Sequence, residues 1–214
     1  MNRPDSLILD MDGTLWDNVD TYAKCWTIAM QRLNKNIIVT RDDIMGLMGK
    51  EARDLLNSVV PEWTETEQDI LFDKVTEVYH ELVPVMTPII YGGVNEGLDL
   101  LSKKYNIFLL SNCEKDGLVH FMNHTKTRQY VTDYMEHGMN NKPKHHNIGL
   151  LIKKHSIKST VYIGDTDSDS HEAQLAGVPF VWATYGFGTT ENYSLKFDSF
   201  NDIVEYYLNI ADTE

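Results

Sequence analysis

Asp10 and Asp12 stand one residue apart in the stretch Asp10-Met11-Asp12-Gly13-Thr14-Leu15. They directly follow the apolar run Leu7-Ile8-Leu9, which reads as a buried strand, so both carboxylates emerge at its carboxyl end. Open α/β folds bind their ligands at that edge of the sheet. Two carboxylates there can hold a divalent cation, and one of them can attack an electrophile. Asp and Gly are also common in turns, so the same residues fit a polar strand-to-helix connection.

Three later clusters carry chemistry of the same kind. Ser111-Asn112 follows Ile107-Phe108-Leu109-Leu110 and offers a hydroxyl, an amide and nearby backbone N–H groups to phosphate oxygens. The same pair suits a helix N-cap. Lys142-Pro143-Lys144 supplies point charges able to neutralise a phosphate. Pro143 restricts Lys142 to an extended entry before a helix over residues 145–155. Gly164-Asp165-Thr166-Asp167-Ser168-Asp169 follows Val161-Tyr162-Ile163 and sets three acids within five residues. Such acids repel one another unless a cation is present, and their oxygens suit Mg²⁺. An EF-hand reading fails, because here the glycine precedes the acids.

The elements that must position these residues follow from hydrophobic pattern. Strand-like runs fall at residues 7–9, 107–110, 161–163 and 180–183, with a weaker one near 134–136. Helical patterns separate the later runs, which is the βαβ arrangement of a parallel sheet. Between the first two strands lie three helical patterns. Val19, Tyr22, Trp26, Ala29 and Leu33 form one stripe. Thr40 followed by Asp43 opens a second helix, expected to run through Leu55, although Gly46 and Gly49 favour a break within it. Thr64 followed by Glu67 opens a third, with Ile70, Leu71, Val75, Val78, Tyr79 and Leu82 as its apolar stripe. Pro84 and Pro88 return the chain to the sheet.

Composition narrows the class. The chain has 214 residues, 42% hydrophobic and 24% charged, as expected of a globular protein with a substantial core. A net charge of -13 opposes nucleic-acid binding, while a local cation cluster still permits a small phosphorylated ligand. The two cysteines, Cys25 and Cys113, are expected to be free and reduced. No apolar run approaches the length of a membrane span, no signal peptide reads from Met1-Asn2-Arg3-Pro4-Asp5, and the cytoplasm is the expected location. Adjacent His145 and His146 lack the spacing of a helical zinc site.

The order Asp-x-Asp-Gly-Thr, Ser-Asn, Lys-Pro, Gly-Asp-x-x-x-Asp resembles the haloacid dehalogenase-like (HAD) superfamily over nearly the whole chain. Gly177-Val178-Pro179 and Tyr185-Gly186-Phe187-Gly188 look like the tail of its phosphoglycolate phosphatase-like group. Gly92-Gly93 departs from the Pro-Gly common there, and His145 replaces a frequent proline. The resemblance implies an α/β Rossmann-like parallel-sheet core (residues 1–15 and 86–214) with an inserted helical C1 cap (16–85). It implies a Mg²⁺-dependent phosphatase acting on a small phosphorylated metabolite through an aspartyl-phosphate. Asp10 would be nucleophile and Asp12 acid–base. Asp10, the Asp12 carbonyl and Asp165 would bind Mg²⁺. Ser111, Asn112 and Lys142 would bind phosphate, Asp169 would hold a metal-bound water or Lys142, and Asp167 would support them or face solvent. Lys144 is expected on the solvated start of the next helix. Lys50 and Arg53 are candidates for an anionic substrate group. The expected state is a monomer without nucleic-acid or membrane partners. The alternatives are a β-phosphoglucomutase-like mutase, a 2-haloacid dehalogenase, which Asp12 and the acidic 165–169 cluster oppose, and a catalytically silent binding protein.

Overall fold

Strand β1 (Ser6–Leu9) is entirely buried, and its apolar run Leu7-Ile8-Leu9 suits a parallel sheet covered on both faces. This computed structural model describes residues 3–50 and 52–212. The chain divides into two compact units, Met1–Asp17 with Ile90–Glu214, and Asn18–Ile89. The breaks expected at 15/16 and 85/86 fall a few residues later. Residues 1–2 and 213–214, part of the expected core, lie outside the described residues.

After the short strand β2 (Trp16–Asp17) the chain enters the helical unit: α1 (Val19–Arg32), α2 (Arg41–Met45), α3 (Ala52–Val59) and α4 (Glu65–Leu82). Capping boxes start two of these helices. Thr40 pairs reciprocally with Asp43, and Thr64 with Glu67, each satisfying two otherwise orphaned N–H groups. The helix expected from Thr40 through Leu55 is two helices. It stops at Met45, and Gly49 takes the left-handed conformation (φ 78°) that glycine adopts without penalty. Residue 51, on that expected helix, lies outside the described residues. Val19, Trp26, Ala29, Leu71, Val75, Val78 and Tyr79 are buried as their spacing predicts. Ile70, assigned to the same stripe, is 51% exposed, because it precedes the inward face by one residue.

The chain returns through β3 (Ile89–Ile90) and continues as α5 (Val94–Ser102), β4 (Asn106–Ser111), α6 (Gly117–Thr125), β5 (Asp133–Glu136), α7 (His137–Asn140), α8 (Lys144–His155), β6 (Thr160–Gly164), α9 (Asp167–Ala176), β7 (Phe180–Ala183), β8 (Leu195–Phe197) and α10 (Phe200–Asp212). The six-stranded sheet has the order β5-β4-β1-β6-β7-β8, and every neighbouring pair is parallel. Ile8 stands in register with Phe108 on one side and Tyr162 on the other. These three pack with Ile148 and Leu151 of α8 and Ala173 of α9 on one face of the sheet. Burying each large apolar side chain contributes about 1.5–3 kcal/mol.

Strand order places the site. From β1 the chain steps outward to β4 and β5, then crosses back to β6, β7 and β8. The strand order reverses at β1, which opens the crevice where open α/β sheets bind ligands. The carboxyl ends of β1, β4 and β6 meet there, carrying Asp10, Ser111 and Asp165.

Candidate active site

Asp10 is one residue beyond β1. Its N–H donates to the Ile163 carbonyl at 2.8 Å, which ties its backbone to β6. The chain then closes one tight turn, in which the N–H groups of Thr14, Leu15 and Trp16 all point to the Met11 carbonyl. Gly13 occupies φ +82° within it, and a Cβ there would lie 2.1 Å from Asp165 Oδ2. Both facts require glycine. Gly186 is equally constrained, since its Cβ would meet the Asp165 Cβ at 2.3 Å and the Gly13 carbonyl at 2.4 Å. Two glycines therefore let backbone close around one carboxylate.

Asp165 follows β6 and is fully buried. Its Oδ2 accepts the Phe187 N–H at 2.7 Å, while its Oδ1 is buried with no hydrogen-bond partner. Asp169 sits in the first turn of α9 and caps it with Thr166. Its Oδ2 accepts from the Thr166 hydroxyl (2.7 Å) and N–H (3.1 Å), and its Oδ1 accepts from Tyr162 OH (3.0 Å) and Lys144 Nζ (2.6 Å). Lys144 Nζ also donates to Asp10 Oδ1 at 2.8 Å, and the lysine is only 2% exposed.

The buried lysine is Lys144, and this corrects the sequence expectation. Lys142 is exposed, with its N–H bonded to the Asn140 side chain. Pro143 is the N-cap of α8, so the helix begins at Lys144. Helical side chains lean toward the N-terminus, and the first residue therefore projects from the helix start. Here that start faces the carboxyl edge of the sheet. A cation in a first turn opposes the helix dipole, so the sequence carried one signal that Lys144 needed carboxylate partners.

Ser111 is buried at the end of β4, and its Oγ accepts the Cys113 N–H at 3.1 Å. Asn112 is half-buried on the following loop. Glu136, which the sequence reading passed over, is fully buried at the end of β5 in register with Ser111. It accepts the N–H groups of Asp116 (2.6 Å) and Leu118 (3.0 Å) and so pins the loop after β4. Cys113 is free, its thiol lies 3.7 Å from Glu136, and burial and that carboxylate push the thiol well above the usual range. Cys25 is likewise free. Asp167 accepts the Thr190 hydroxyl at 2.7 Å. In the helical unit, Lys50 is exposed in the turn after Gly49. Arg53 bonds Gln68 (3.0 Å) and the Asp69 carboxylate (2.6 Å).

Charge in the site is unbalanced. Ligand oxygens of Asp10, Asp165 and Asp169 all lie within 4.8 Å of one another, and the ammonium group bonded among them is that of Lys144. Burial raises the Asp10 pKa to about 7, with Lys144 opposing the shift. Burial likewise holds Asp165 well above its usual range, reinforced by the charges of Asp169 and Asp10. Burial also acts on Asp169, but Lys144 and Thr166 outweigh it and lower its pKa. On Lys144, Asp10 and Asp169 overcome desolvation and keep the amine firmly protonated.

These residues fit a hard divalent cation. The donors are all oxygen, the carboxylates outnumber the ammonium, and Asp165 Oδ1 is a buried acceptor without a donor. Asp169 has both oxygens engaged in hydrogen bonds, whereas Asp165 keeps one buried oxygen unpartnered.

Residues 7–183 match the family model of the haloacid dehalogenase-like hydrolases. The chain is 25% identical over 200 residues to a phosphoglycolate phosphatase of Nitrosococcus oceani, covering 87% of each. Its fold is similar to that of a solved predicted phosphoglycolate phosphatase from Haemophilus somnus, with a TM-score of 0.82, 21% identity, and coverage of 96% of this chain and 99% of that one. A predicted phosphatase from Clostridium acetobutylicum matches with a TM-score of 0.84 at 17% identity, covering 97% and 100%. Motifs, sheet order and family match converge, and the chain belongs to the haloacid dehalogenase-like hydrolases.

Proposed function

We propose that this hydrolase is a Mg²⁺-dependent phosphatase of small phosphorylated metabolites, working through an aspartyl-phosphate on Asp10. The observation that carries this reading is the buried Asp10 carboxylate at the β1 edge, bonded to Lys144 and within 4.8 Å of the Asp165 carboxylate, one oxygen of which has no hydrogen-bond partner. The phosphoglycolate phosphatase relative supports the substrate class. Asp10, Asp165 and the Asp12 carbonyl would hold Mg²⁺. When bound, that ion supplies positive charge against the repulsion between carboxylate and phosphate, and it stabilises the equatorial oxygens.

The chain's own groups perform the remaining steps. An Asp10 oxygen bonds to phosphorus as the ester P–O bond breaks, and the Asp12 carboxyl gives its proton to the leaving oxygen. Asp12, now ionised, takes a proton from the attacking water. The water oxygen bonds to phosphorus, and the acyl phosphate breaks to restore Asp10. Lys144 neutralises developing charge and keeps Asp10 oriented. Ser111 Oγ accepts from Cys113, which leaves its own proton to donate to a phosphate oxygen. Asn112 would add a second donor. Asp169 acts through Lys144, which it holds.

A panel of phosphorylated metabolites, assayed for phosphate release, tests the reading. A chelator should abolish turnover, Mg²⁺ should restore it, and excess Ca²⁺ should inhibit. Ca²⁺ accepts more oxygens at longer distances and would draw both Asp10 oxygens into coordination. Full activity in chelator would refute the metal role of Asp10 and Asp165.

Lys50 and Arg53 are proposed to recognise an anionic substrate group. The Arg53–Asp69 pair is 47% and 59% exposed, and such a pair is weakly held, so Arg53 can exchange partners at little cost. Lys50→Ala and Arg53→Ala should each lower kcat/KM for the best metabolite roughly tenfold relative to a minimal aryl phosphate. Unchanged selectivity in both would return them to surface roles. A net charge of -13 supports the absence of nucleic-acid partners, and no described helix is long and apolar enough to cross a membrane. Monomeric state and cytoplasmic location belong to the same proposal.

A further inference from the structure

We infer that Trp16 is a positioning residue for Asp12, an inference that rests on the hydrolase mechanism above. Trp16 Nε1 donates to Asp12 Oδ1 at 2.8 Å. The indole is 1% exposed and meets Phe121 edge-on, with ring centroids 5.2 Å apart and planes at 90°. Both residues sit on the same closed turn. The Trp16 N–H bonds the Met11 carbonyl, and the Trp16 carbonyl accepts the Gly13 N–H at 2.9 Å. Donor and acceptor are thus joined by one closed turn, and the buried donor ring is packed against Phe121.

The consequence is geometric. A carboxylate bonded at one oxygen by an immobile donor has its plane fixed and presents the other oxygen in one direction. Proton transfer to a leaving group depends on that direction, since effective acid catalysis requires hydrogen-bond reach and alignment. A buried indole N–H needs some acceptor in any fold. Here that acceptor is the residue assigned the proton transfer, and the bond becomes charge-assisted once Asp12 has given up its proton.

Trp16→Phe keeps an aromatic ring against Phe121 and removes only the donor. We expect kcat for alkyl phosphates to fall about tenfold relative to kcat for aryl phosphates, a fraction of the value of general acid catalysis. KM should change less than about twofold on the same ground. Aryl leaving groups need little protonation, so they report the rest of the machinery. In an Asp12→Asn background, Trp16→Phe should produce no further change in that ratio. Equal losses for both ester types, or additive effects in the double variant, would overturn the inference.

A second measurement needs neither turnover nor metal. The Trp16 indole N–H resonance, assigned in the wild-type protein through the contact of its ring with Phe121, should exchange slowly with solvent. In Asp12→Ala it should move upfield and exchange at least about tenfold faster, as expected when a buried donor loses its acceptor. An unmoved resonance would overturn the inference even if Trp16→Phe failed to fold. Wild-type protein that released no phosphate from any ester would instead overturn the hydrolase reading. The resonance would then still decide whether Trp16 holds Asp12.

Discussion

Asp10→Asn should lower phosphate release by about four orders of magnitude or more, the scale on which enzymes lose a nucleophile. The substitution is nearly isosteric and removes the attacking charge while leaving Lys144 bonded to Asp169. The fold should survive and, without metal, become more stable at neutral pH. Asp10 has a pKa of about 7 in the folded chain against an ordinary 3.8. The native state therefore holds more protons than the unfolded state between these values, and stability falls as pH rises from roughly 4 to 7. Asn at this position removes that share of the fall, a gain on the order of 2–4 kcal/mol at pH 8. Asp165 is shifted the same way and leaves a residual slope. Urea unfolding in chelator at pH 5 and pH 8 measures the difference. Near-normal turnover would refute the nucleophile assignment. An unchanged pH slope would refute the electrostatic account.

Lys144→Met should lower kcat by about a thousandfold, within the range for removing a preorganised charge-stabilising group. It should also destabilise the metal-free protein by about 3–5 kcal/mol, the usual effect of stripping one partner from a buried ion pair. Without the ammonium, three buried carboxylates face one another, and the deficit should grow with pH as they ionise. Lys142→Ala, at an exposed position, should stay within about twofold in kcat and 0.5 kcal/mol in stability. Steady-state kinetics and denaturation of the two variants decide the matter. A worse Lys142 variant would mean that the contacts of Lys144 with Asp10 and Asp169 do not govern catalysis.

Much of the fold was legible because its signals are local. Apolar runs at residues 7–9, 107–110, 161–163 and 180–183 all lie in parallel strands, and Thr40 and Thr64 open helices through the reciprocal bonds their spacing predicts. Asp10 and Asp165 follow strands directly, so the sheet carries them to one edge without help from distant residues. The short strand β8 was missed, since Leu195-Lys196-Phe197 offers too little pattern to separate strand from loop. Ile70 was misplaced by one helical position, the smallest error that moves a side chain from core to solvent.

Tertiary structure decided which lysine lies buried among the carboxylates. Lys142 and Lys144 flank the same proline and have the same chemistry, and the Lys-Pro motif pointed to Lys142, whereas the buried lysine is Lys144. Their roles separate only because Pro143 starts α8 and the helix aims its first residue at the sheet edge. The same holds for Glu136 under the Ser111 loop and for the Trp16 indole on Asp12. The sequence by itself determined that carboxylates would gather beyond β1 and β6, because each follows its own strand. It could not determine which cation and which donors would meet them, because those contacts join elements brought together only by packing.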